Sequence, residues 1–128
     1  GVWVQLENYS RKLARSGKEL FIVSGGHGQG GIGKNGLRAT VGQGKVVVPA
    51  VTWKVILVLD QPNSGVAGVN KNTRTIAVIV PNKQGIKSDD WQQYRTSVKE
   101  VEKRTGYKFF TRVPAEIREV IDAKVDQQ

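Results

Sequence analysis

The chain has 128 residues, with 20 Lys and Arg against 11 Asp and Glu, and 38% of its residues are hydrophobic. This length suits one domain with a real core, the lack of cysteine excludes disulfides and thiolate metal sites, and runs such as VVVPAV and VILVL are too short to cross a bilayer. The formal net charge of +9 points to a polyanionic partner, nucleic acid before an anionic membrane surface, although a merely basic soluble protein satisfies it too.

In chain order, Val2, Leu6, Tyr9 and Leu13 recur at spacings of 4, 3 and 4 with Trp3 beside them, which predicts an amphipathic helix over 2–15. Ser16-Gly17 ends it, with Gly17 suited to a left-handed cap. ELFIVS (19–24) reads as a short buried strand. After a glycine-rich stretch, KVVVP (45–49) and TWKVILVLD (52–60) are β-branched and apolar, with Pro49 separating them or bending an edge. QPNSG (61–65) is turn material, and RTIAVIV (74–80) is another strand closed by Pro81-Asn82. Ser97 with Glu100 forms a capping box for a helix that ends at Gly106. Pro114 suits the first turn of a last helix with Ile117, Val120, Ile121 and Lys124 on one side. A helix, four strands and two helices, without a linker, predict an α+β fold and one domain over residues 1–128.

The stretch SGGHGQGGIGKNG (24–36) matches G-x-x-x-x-G-K, with Asn35 where a phosphate-binding loop carries Ser or Thr. Such a loop needs a helix directly after its lysine, to lend amide groups and a dipole to the phosphate. Here Gly36, Gly42 and Gly44, with β-branched Thr40 and Val41, oppose any helix after Lys34. The match to G-x-G-x-x-G at Gly28, Gly30 and Gly33 fails for the same reason. His27, the only histidine, is flanked by glycines and has no local means of being held as a catalytic base, so a solvated loop histidine in a mobile connection is expected. With one histidine and no cysteine, a metal site would have to use oxygen ligands, which favours Mg²⁺, Ca²⁺ or Mn²⁺ over zinc.

Glu7 and Arg11 lie four apart and share a helix face that is not the Val2/Leu6/Leu13 face. By spacing alone they are an exposed ion pair worth about 0.3–0.5 kcal/mol. Their setting adds more. The string W-x-x-L-E-N-Y-x-R-x-L at 3–13, followed by GKELFIVSG, resembles the C-terminal half of the DNA/RNA non-specific endonucleases, the sugar-non-specific nucleases with a ββα-metal active site. VPAVTWKVILVLD, TRTIAVIVPN and DDWQQYRTSVKEVEKRTGYKFF resemble later segments of the same family, in order and over nearly all of the chain.

The resemblance implies a central, mainly antiparallel sheet with an N-terminal active-site helix and two C-terminal helices. It also implies Mg²⁺-dependent (or Mn²⁺-dependent) hydrolysis of phosphodiesters in DNA and RNA alike. The family's Glu, which positions water in the metal shell, carries over to Glu7, and its Arg, which faces the scissile phosphate, to Arg11. The family's general base, a histidine in an Asp-Arg-Gly-His motif, has no counterpart here, and its metal-ligating Asn is expected upstream of Gly1. The chain is therefore expected to be the C-terminal portion of a nuclease, inactive alone and partnered by its own N-terminal segment as a second chain. An artificially shortened form and a natural non-catalytic, basic nucleic-acid-binding module are the alternatives. Charge adds Lys12, Arg15, Lys34, Arg38 and Arg74 to Arg11 as candidate contacts to the nucleic-acid backbone, and no membrane contact is expected.

Overall fold

A computed structural model describes residues 1–28, 49–83 and 85–128, and between 29 and 48 only the backbone of four two-residue strands. Helix α1 (Val2–Arg15) turns Val2, Leu6 and Ser10 inward, which is the face the apolar spacing predicts. It stops where Ser16 Oγ–H donates to the Leu13 carbonyl at 2.6 Å and Gly17 takes φ +99°, a conformation that costs glycine little.

Eight strands follow in chain order: β1 (Glu19–His27), β2 (Ile32–Gly33), β3 (Gly36–Leu37), β4 (Thr40–Val41), β5 (Val46–Val47), β6 (Val51–Leu59), β7 (Arg74–Pro81) and β8 (Arg95–Thr96). β1, β6, β7 and β8 form one antiparallel sheet in that order, while β2 pairs with β3 and β4 with β5 as separate ladders. Helices α2 (Val98–Thr105) and α3 (Ala115–Ile121) complete the α+β order.

The sheet has two covered faces. On one, Val2 and Leu6 of α1 pack on Ile56, Val58, Ile76, Val78 and Val80, with Trp91 closing the side and its ring stacked near Tyr9. On the other, Val98, Val101 and Phe109 cover Trp53, Val55 and Ala77, while Val113 and Ile121 cover Leu57 and Leu59. Because successive side chains point to opposite faces, β6 is apolar without alternation from Val55 to Leu59 and buried there on both sides.

Three elements depart from the sequence expectation. β1 continues past Ser24 through Gly25 and Gly26 to His27, which pairs with Val51, so His27 ends a strand rather than sitting in a loose loop. The two glycines allow this approach: a Cβ on Gly25 would lie 2.7 Å from Trp53 Cζ2, and one on Gly26 would lie 2.8 Å from Pro49. Of the expected strand at 45–49, the described residues place Val46–Val47 in a strand outside the main sheet, whose fourth strand is instead β8, at Arg95–Thr96. β3 and β4 put strand backbone at 36–37 and 40–41, so no helix follows Lys34, as the glycine content predicts. The cap of α2 follows expectation, with Ser97 Oγ accepting from the Glu100 amide at 3.1 Å and Gly106 at φ +80°.

The C-terminal tail is pinned by charge. Asp126, almost fully buried, accepts from Arg74 Nε at 2.7 Å and Nη2 at 2.8 Å, and Arg74 Nη2 also donates to the Tyr9 hydroxyl at 2.8 Å. This joins α1, β7 and the tail through one guanidinium, whose pKa the bond to Asp126 raises further. Breaking such a buried pair strands the remaining charge in a poorly solvated place. Asp126→Ala is therefore expected to lose about 3 kcal/mol of unfolding free energy in a urea titration, the lower end of what such a deletion typically costs, because Arg74 keeps its bond to Tyr9.

Candidate active-site helix

Docking α1 through Val2, Leu6, Tyr9 and Leu13 settles where its other residues point. Gln5 faces β8, its amide donating to the Asp89 carbonyl at 2.8 Å and its oxygen accepting from the Trp91 amide at 3.0 Å. Trp3 leans the opposite way, over β6, with its indole N–H donating to Thr52 Oγ1 at 2.9 Å. Glu7 and Arg11 follow Trp3 at successive turns of that flank.

The pair is a contact, not a lock. Arg11 Nη2 lies 3.9 Å from Glu7 Oε2, the side chains are 62% and 52% exposed, and Arg11 Nη1 also donates to Asn8 Oδ1 at 3.1 Å. Both charged ends face water, and among the described residues they hold no other element in place. What the arrangement supplies is a guanidinium with unused donors beside a carboxylate with unused acceptor capacity.

The remaining described candidates do not gather around this pair. Arg15 is exposed at the end of α1. Lys12 lies on the other flank, in a cleft with Asn8, Tyr9, Gln92 and Arg95. Lys34 and Arg38 fall outside the described residues. Arg74, expected on charge as a backbone contact, is instead committed to Asp126 and Tyr9 with its side chain only 13% exposed, so it serves the tail. His27 is exposed at the end of β1.

Among the described residues no group of three or more His, Cys, Asp or Glu side chains is placed to hold a metal ion. Glu7 supplies one carboxylate, largely in water and already beside Arg11, which suits accepting hydrogen bonds from water and not holding a divalent ion alone. Two polar features were missed by sequence reasoning. The Tyr9–Arg74–Asp126 network joins residues 65 and 52 positions apart, and nothing local announces it. Lys54, whose Nζ lies 5.2 Å from the centre of the Trp3 ring, did carry a signal as the one charge inside TWKVILVL.

One acid is strongly perturbed, and it lies elsewhere. Asp122, at the end of α3, is pushed up to about 6 by burial, with the Glu102 carboxylate adding to the rise and Arg118 opposing it. Its Oδ1 has no hydrogen-bond partner, so ionisation is poorly compensated. It sits under α2 and α3, across the sheet from α1.

An antiparallel sheet carrying a Glu–Arg helix on one face and short C-terminal helices on the other is the fold of the ββα-metal nucleases. Residues 1–116 match the DNA/RNA non-specific endonucleases, and the chain belongs to that family. The nuclease of a Nostoc species is 45% identical over 124 residues, which cover 97% of this chain and 42% of that protein. The nuclease of Serratia marcescens is 29% identical, with the same 97% and 42% covered, and the mitochondrial nuclease EXOG of Danio rerio is 30% identical over 86% of this chain and 32% of its own length. The chain thus spans less than half the length of these relatives. Its fold is similar to that of EndoG as solved in complex with EndoGI, with a TM-score of 0.62 at 19% identity, covering 88% of this chain and 44% of that one.

Two outcomes test the physical account. Glu7→Ala and Arg11→Ala are each expected to change unfolding free energy by less than about 0.5 kcal/mol, because an exposed helical pair is worth no more. Asp122 binds its proton more tightly folded than unfolded, against an ordinary value of 3.8, so stability should fall as pH rises from about 4 through 6. Asp122→Asn should flatten that fall, matching the native chain in unfolding free energy near pH 4 and exceeding it near pH 7.5 by about 1 kcal/mol, an amount discounted for solvent that still reaches the group.

Proposed function

We propose that this chain forms the phosphate side of a non-specific endonuclease site that cleaves phosphodiester bonds in DNA and RNA. The observation that carries the reading is the Glu7–Arg11 pair, exposed and structurally idle on the free flank of α1, within a chain of the DNA/RNA non-specific endonuclease family. Arg11 would donate to the non-bridging oxygens of the scissile phosphate, where negative charge grows as the attacking oxygen approaches. Glu7 would hold the guanidinium in orientation from one side and accept hydrogen bonds from water on the other. Contacts of this kind engage the backbone and ignore base identity, which agrees with a substrate range defined by the phosphodiester and not by sequence.

Activity in this reading depends on Mg²⁺, with Mn²⁺ a possible substitute, which neutralises charge on the phosphate when bound. The described residues do not by themselves make the ion's site, and His27 is exposed at a strand end, so this reading assigns the general base and the direct metal ligand to residues outside the 128. The chain is then one portion of a larger catalytic unit, and by itself a basic surface for nucleic acid.

The test compares the 128-residue chain with a protein of the full length of the Nostoc relative that contains it. The chain alone should leave plasmid DNA and total RNA intact with Mg²⁺, and the longer protein should degrade both in a manner stopped by EDTA. In the longer protein Glu7→Ala and Arg11→Ala should each lower kcat by about 10²–10³ while the thermal midpoint stays put. EDTA-sensitive cleavage by the chain alone that disappears in His27→Ala would overturn the assignment. A longer protein that binds nucleic acid in a salt-sensitive way and cuts nothing would instead make this a binding module.

A further inference from the structure

We infer that Lys54 is a second phosphate contact of the same site, engaging a phosphodiester adjacent to the one that Arg11 faces. The inference rests on the nuclease reading above and adds a residue to it. It begins with the character of the sheet face beneath α1. Along β6 that face carries Val58 and Ile56, then Lys54 and Thr52, and along β1 the paired positions are Leu20, Ile22, Ser24 and Gly26. The face is therefore apolar beneath Leu6 and turns polar beneath Trp3, at the end of the helix flank that bears Glu7 and Arg11.

A lysine in the interior of a central strand gives up part of its hydration, and some group must compensate for it. Other described cations find an oxygen partner: Lys18 has Asp60 at 2.8 Å, Arg74 and Arg95 have Asp126, Arg11 has Glu7, and Arg118 and Lys124 donate to the Val113 and Lys71 carbonyls. Among the described residues no carboxylate comes within salt-bridge distance of Lys54. Its ammonium rests instead against the Trp3 ring, 5.2 Å from the centroid, and Trp3 is itself tied to Thr52. A cation–π contact fixes the position of the charge and leaves the other ammonium donors free. The result is a half-buried cation in the middle of the sheet, positioned against Trp3 and with no carboxylate partner among the described residues, and Trp3 precedes Glu7 by one helical turn and Arg11 by two. An anion fits that vacancy better than a carboxylate of the protein does, and a phosphodiester is the anion this surface meets.

The experiment measures binding of a fluorescein-labelled 20-base-pair DNA duplex to the 128-residue chain in EDTA, over a series of salt concentrations. The variants are Lys54→Met, which keeps the stem that packs on Trp3, Lys54→Arg, which keeps the charge, and Lys103→Met on exposed α2. Loss of one phosphate contact lowers the steepness of log K against log salt by about 0.9. Lys54→Met should show that drop with weaker binding, Lys54→Arg should recover the native slope, and Lys103→Met should leave the slope where it was. Thermal midpoints read on the same samples exclude unfolding, and if Lys54→Met is unfolded, Lys54→Gln replaces it in the comparison. A native slope in the folded charge-deletion variant, or a slope equally reduced in Lys54→Arg, overturns the role of Lys54 alone. No salt-dependent binding by the native chain overturns it together with the nucleic-acid reading.

Discussion

The seating of α1 on the sheet is the constraint on which the candidate site depends. Leu6 is fully buried among Ile56, Val58, Ile76 and Val78, and a leucine moved from water to such a place contributes about 1.5–3 kcal/mol. Val2, Tyr9 and Leu13 repeat the contact at helical spacing, so the rotation of the helix about its axis has one favourable value. Once that rotation is set, Gln5 must face β8, Trp3 must reach Thr52, and Glu7 and Arg11 must stand free above the sheet. Tyr9 adds a second tether by accepting from Arg74, which the buried Asp126 holds in turn. The exposed side chains of α1 are thus positioned by packing that lies beneath it and by a charge pair in the tail.

The sheet itself is unevenly covered. β6 and β7 are enclosed between α1 on one side and α2 with α3 on the other, whereas β1 leaves Phe21, Ile22 and Val23 more than 40% exposed. These three point alternately to both faces, and β1 is also an edge of the main sheet. An open apolar edge is a surface that proteins ordinarily cover. The Gly25–Gly26 step at its far end has a separate cause, the indole of Trp53 and the ring of Pro49, which leave no space for a side chain.

Much of the fold was legible along the chain because its signals are local. The 4-3-4 spacing located α1, the β-branched runs located β6 and β7, and Ser97 with Gly106 bracketed α2. β8 was not legible, since two residues such as Arg95 and Thr96 carry no periodicity and become a strand only by pairing with Ala77 and Val78. The run at 45–49 misled for the opposite reason: β-branched residues favour a pleated neighbour without saying which one. The site divides in the same way. Glu7 and Arg11 are proposed from a motif, a contiguous string that survives without the structure. Arg74 was assigned by charge, and charge does not record whether a carboxylate 52 residues away has already claimed it.

The sequence by itself determined the α+β order, the family, the helix face that is buried and the failure of the glycine stretch as a phosphate loop. Each follows from neighbours within a few positions, through helical or strand periodicity and the conformational cost of glycine. Only the tertiary structure decided that Arg74 serves the tail, that His27 closes a strand, and that Lys54 rests on Trp3. Those outcomes depend on which strands pair and in what register. A one-residue slip of β6 would turn Lys54 to the opposite face, and register is fixed by the whole apolar surface beneath α1 and not by any stretch of sequence.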